Sequence, residues 1–136
     1  MSEYRHLGRI LAGGMLAAVA FQSVGLLLAR KFQFSLIYLI PPALVLYATV
    51  AALIARYSSW YLGVLAAFAT TVVDATVGTG VSWIVGAGVP PANFTVEYVK
   101  NLVYGAVYMA SLGGFIGAPI GSYVRGRKSR SSEAAA

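Results

Sequence analysis

Asp74 is the only acid inside any long apolar run of this chain, and a carboxyl group placed there suits either proton handling or helix packing. An ionised side chain at mid-bilayer depth costs about 2.5 to 3.5 kcal/mol on insertion scales, so the group should face protein or a wet cavity, or else carry its proton. Exposure to lipid is the least favourable placement. Thr70, Thr71, Gly78 and Ser82 stand three, four or eight residues away, which on a helix makes one small, polar stripe with Asp74.

Polar residues of the other apolar runs fall at a similar depth. Counted from the middle of each run, Gln22, Tyr47, Tyr108 and Ser111 lie within about one turn of the level of Asp74. With Thr70 and Thr71 they form a candidate polar layer. One use of such a layer is transport, in which Asp74 exchanges a proton or cation with a cavity while tyrosine and amide donors hold it. The other is packing, in which Asp74 is polar glue that sets helix register or binds a neighbouring subunit. No second ionisable group lies inside the membrane to relay a proton onward, which favours packing.

Glycine supplies a second pattern. Gly113, Gly117 and Gly121 repeat every fourth residue, with Gly105 two turns earlier, so the last helix should present a flat strip for helix packing. Gly14 and Ala18 in the first run, and Gly78, Ser82 and Gly86 in the third, are the expected partners, within one chain or at a homo-oligomer seam. Pro41 and Pro42, about a turn and a half into the second run, and Pro119 near the end of the fourth are expected to bend their helices.

Other chemistry is excluded by what the chain lacks. It has no cysteine, and its one histidine, His6, precedes the first apolar run, so no metal or haem site is expected. No nucleophile is paired with a base at a readable spacing, and no glycine-rich phosphate loop follows a strand. Neither an enzyme nor a cofactor is expected.

These residues must be held by membrane helices. Of 136 residues, 59% are apolar and 10% charged, less than half the charge of an ordinary soluble domain. The net charge of +6 does not mark a nucleic-acid binder, because the basic residues flank apolar runs. Four runs are long enough to cross a bilayer: residues 8–30, 35–56, 60–86 and 98–124. None alternates as a barrel strand does, so each is expected to be a helix.

The fold expected is an all-α integral membrane protein, a single domain over residues 1–124. Tight turns at residues 31–34 and 57–59 make consecutive helices antiparallel neighbours. The third connection, residues 87–97, holds Pro90 and Pro91 and should form an ordered cap. Residues 125–136 should be a disordered cytoplasmic tail. Seven basic residues lie on the side of the termini (Arg5, Arg9, Arg56, Arg125, Arg127, Lys128, Arg130) against three on the other (Arg30, Lys31, Lys100). Both termini are therefore expected in the cytoplasm of a multi-pass cell-membrane protein. A cleaved signal peptide ending near Ala18-Val19-Ala20 is disfavoured, because the first run continues to Ala29.

Trp60, Tyr57, Tyr61, Tyr98 and Tyr123, with Trp83 and Phe94 opposite, read as interfacial anchors. Arg125, Arg127, Lys128 and Arg130 offer a site for anionic lipid but serve first to stop translocation. Asn93-Phe94-Thr95 fits a glycosylation sequon too close to the membrane for ready use. The preferred expectation is a non-enzymatic subunit, packing as a homo-oligomer or within a larger membrane complex. The alternative is a small oligomeric transporter or channel coupled to protonation of Asp74.

Overall fold

Apolar runs of this length leave the backbone no partners except its own, and the chain answers with helices throughout. A computed structural model describes residues 2–88, 93 and 95–133, with side chains from Arg5 to Arg127 within those ranges; no strand occurs among the described residues. Helix α1 runs Ser2–Phe32, α2 Ile40–Tyr57, α3 Trp60–Val73, α4 Thr79–Ile84 and α5 Val96–Glu133. A 3-10 turn, Leu36–Leu39, precedes α2, and a single π-helical turn, Asp74–Gly78, joins α3 to α4. These elements supply four stretches apolar and long enough to span a membrane: Arg5–Phe32, Leu36–Tyr57, Trp60–Ile84 and Val96–Arg127. The four expected spans are thus present, the third built from α3, the π turn and α4.

Local chemistry sets the ends. Gln33 takes a left-handed φ of 56° and returns its side-chain amide to the Arg30 carbonyl at 3.2 Å, closing α1. Ser35 caps the 3-10 turn through its hydroxyl, which accepts from the Ile37 N–H at 3.4 Å. The third span closes on Gly86, at φ 76°, after which the Ala87 and Gly88 N–H groups both donate to the Ser82 carbonyl at 2.8 Å. Thr95 opens α5 by accepting the Tyr98 N–H at 3.1 Å.

Three expectations are corrected here. Pro41 and Pro42 do not bend a helix from within, because the 3-10 turn ends first and α2 starts at Ile40, placing both prolines where backbone N–H groups have no helical partner. Residues 125–133, expected to be disordered, continue α5 through Glu133; basic residues near a helix C-terminus favour that state. The third span is not one regular helix, since five residues from Asp74 form the π turn. The Pro90-Pro91 segment and Phe94 lie outside the described residues, as do the side chains of Lys128 and Arg130.

Packing is closest between α2 and α5. A Cβ at Gly113 would come within 2.7 Å of Tyr47 Cβ, and at Gly117 and Gly121 it would strike the Ala48 and Ala52 carbonyls of α2. The strip therefore meets α2, not the small residues of α1 and the third span, because Ala48 and Ala52 present bare backbone at matching spacing. On the other side of α2, Val50 and Ile54 join Ala66 of α3 in a buried cluster covered by Leu7, Ile10 and Leu11 of α1. Each buried side chain of this kind contributes packing rather than hydrophobic drive, since lipid is equally apolar. Leu16, Val45, Leu65, Ile84 and Ile120 point outward, more than half exposed, as a surface bathed in acyl chains allows.

Candidate functional site

Asp74 opens the π turn, and two other spans reach it. The Tyr47 hydroxyl of α2 donates to Asp74 Oδ2. From α1, the Gln22 amide faces both Asp74 Oδ1 and the Asp74 main-chain carbonyl at 2.7 Å; its nitrogen points there, because an amide oxygen would repel two acceptors. The same carbonyl accepts the Thr79 N–H across the π turn. This main-chain oxygen is thus shared between the turn and α1, a local device that ties the irregular backbone to a neighbouring helix.

Two glycines make the approach possible. Gly78 is one turn beyond Asp74, and a Cβ there would strike the Gln22 amide and come within 2.8 Å of Asp74 Oδ1. Gly113 gives Tyr47 its place: the ring is 4% exposed and its Cβ lies against the bare α5 backbone. Two further polar contacts dock α1 on the third span, a 3.4 Å hydroxyl pair between Ser23 and Ser82 and an Arg30 guanidinium donating to the Gly86 carbonyl. Arg30 therefore caps the carbonyl end of α4, a role that accounts for one of the three basic residues on the minority side.

Asp74 is only half-buried because it borders a groove-like cavity of about 510 Å³ that is open along one side. Phe21, Leu26, Leu36, Leu39, Ile40 and Met109 supply much of its apolar wall. Its polar lining is Asp74, Tyr47, Gln22, Thr71 and Asn101, and no Lys, Arg or His takes part among the described residues. α1 and α5 make no close backbone approach to each other; the cavity lies between them, toward the end where α1 finishes and α2 and α5 begin.

The structure thus brings Asp74, Gln22, Tyr47 and Thr71 to one place and leaves the other candidates aside. Thr70 is fully buried and gives its hydroxyl proton to the Ala66 carbonyl at 2.8 Å; Thr71 gives its own to Ala67 at 2.7 Å. Ser111 is bonded to the Val107 carbonyl at 2.8 Å, and Tyr108 is 64% exposed. Ser111 stands two residues before Gly113 and Tyr108 five, roughly 160° and 140° around the helix from the strip that packs on α2. Equal depth does not imply equal facing. Gly105, assigned to the packing strip, instead lines the cavity with nothing within 4 Å of where its Cβ would be. Asn101 was not among the candidates; its signal was its place one turn before Gly105 on the same face of α5.

The chain matches no known protein family, no curated protein and no solved structure.

Proposed function

We propose that this chain is a small, non-enzymatic multi-pass protein of the cell membrane that moves a small solute or ion, with Asp74 binding and releasing a proton or cation. In this reading the four spans form an antiparallel bundle with both termini cytoplasmic. The contact of His6 with Tyr57, ring centroids 5.1 Å apart, and that of Arg30 with Gly86 support the alternation, since each joins a helix start to a helix end or two helix ends. The observation that carries the transport reading is the setting of Asp74: donors from two other helices hold the carboxyl group while one flank stays open to the cavity. A residue serving only as glue gains nothing from such an opening.

The test is ion movement in proteoliposomes. With an imposed potassium diffusion potential and an internal pH dye, wild-type vesicles should show proton movement above empty ones. Asp74→Asn should abolish it with detergent elution unchanged, although its amide sets a donor against the Gln22 nitrogen and should lower the unfolding temperature somewhat. Undiminished movement in that variant would overturn the proposal.

The subunit reading keeps two supporting observations: the bonds by which Tyr47 and Gln22 make Asp74 a tie between three spans, and the separation of α1 from α5, which leaves a flank that another chain can cover. Its former support, the glycine strip, is occupied by α2. Purification in mild detergent at native expression separates the two, because a subunit co-purifies with other chains and loses them in Asp74→Asn.

A further inference from the structure

We infer that the cavity binds a hydrophobic organic cation, an apolar body bearing one positive charge that pairs with Asp74. This rests on the proposed function and adds the class of ligand. Charge comes first: the lining holds one carboxyl group and no basic side chain among the described residues, so an anion meets repulsion and a neutral body leaves the carboxylate unpaired. Valence comes next. A carboxylate offers about four acceptor positions, and Tyr47 and Gln22 take one each on the two oxygens, so room remains for a donor or a diffuse positive charge from the cavity side.

An inorganic ion fits poorly. Calcium seeks about six to eight oxygens and magnesium about six in a strict octahedron, but with Gln22 turning its nitrogen to the site the side-chain oxygens of the lining come only from Asp74, Tyr47, Thr71 and Asn101, too few for either shell. The rest of the wall is hydrocarbon and aromatic, from Phe21, Leu26, Leu39 and Met109, which desolvates an organic body well and an aquated ion badly. At about 510 Å³ the space, a groove open along one side, matches in size the clefts that take drug-sized ligands, roughly 300 to 1,000 Å³. Asn101 adds an amide on the α5 wall for a polar group on the ligand body.

Binding should also depend on pH. From α2 Tyr47 faces Asp74, from α1 only the neutral Gln22, and from α5 no titratable side chain lines the cavity. Protonation of Asp74 removes the charge that the cation pairs with, so affinity should fall as pH is lowered.

Tetraphenylphosphonium and tetraphenylborate have one shape and opposite charge, and equilibrium dialysis against protein in nanodiscs of zwitterionic lipid, corrected for empty nanodiscs, measures both. Wild-type protein should bind the phosphonium saturably and not the borate, with sodium chloride failing to compete beyond its ionic-strength effect. Asp74→Asn should weaken the phosphonium by about tenfold or more. Gly105→Phe, which adds a ring where a Cβ has free space, should weaken it with the charge intact. Equal binding of the two ions, or full affinity retained in either variant, overturns the inference. If the phosphonium fails to bind while proton movement still depends on Asp74, the ligand class is wrong and the proposed function stands; loss of both removes both.

Discussion

Gly78 decides whether Gln22 can reach Asp74, and it does so by having no side chain rather than by any unusual backbone angle. On helix propensity alone, Gly78→Ala should stabilise by about 1 kcal/mol. Here the added methyl strikes the Gln22 amide, so we expect a net loss of about 1 kcal/mol instead, read from unfolding in detergent. Gln22→Ala vacates that space. The double variant should therefore recover the part of the loss owed to that clash, with a coupling of about 0.5 to 3 kcal/mol, while the 2.8 Å approach to Asp74 Oδ1 remains. Additive effects would place the amide elsewhere.

At the scale of helices, the α2–α5 contact is backbone against backbone. Gly117→Leu drives a side chain into the Ala48 carbonyl, and neither helix has a rotamer with which to retreat. Overpacking of this kind costs about 1 to 3 kcal/mol. Gly126→Ala, where a Cβ meets nothing within 4 Å, should be neutral or stabilising by up to about 1 kcal/mol. Thermal unfolding of the two variants in one detergent compares them. Because Tyr47 rides on the same contact, Gly117→Leu should also impair binding at Asp74, whereas Gly126→Ala should not. The π turn belongs to this scale as well: one extra residue in the turn brings Gly78 and Thr79 inward together while Thr76 and Val77 face out.

For the molecule as a whole, the cavity lies toward the helix ends opposite the chain termini, so its access is set by orientation. A chain without cysteine makes this directly measurable. In the proposed orientation, Asn93→Cys should react with a membrane-impermeant maleimide in intact cells, and Ser58→Cys only after permeabilisation. The reverse pattern would turn the cavity toward the cytoplasm. Ser58 follows the end of α2 far from the cavity and bonds back to the Ile54 carbonyl, so binding should survive labelling there.

Residue order alone determined the four spans, because runs of apolar side chains long enough to cross hydrocarbon leave the backbone no choice but helix. It also singled out Asp74, since charge inside such a run is costly wherever the helix turns. Gln22 and Tyr47 were legible by depth, yet depth equally admitted Tyr108 and Ser111, which face away. Only tertiary structure decided which polar residues meet, because facing depends on how each helix is rotated, and that is set by where glycine lets backbones touch. The π turn, the cavity and the role of Asn101 arise from the same source: they are properties of the space between helices, which no single run of residues encodes.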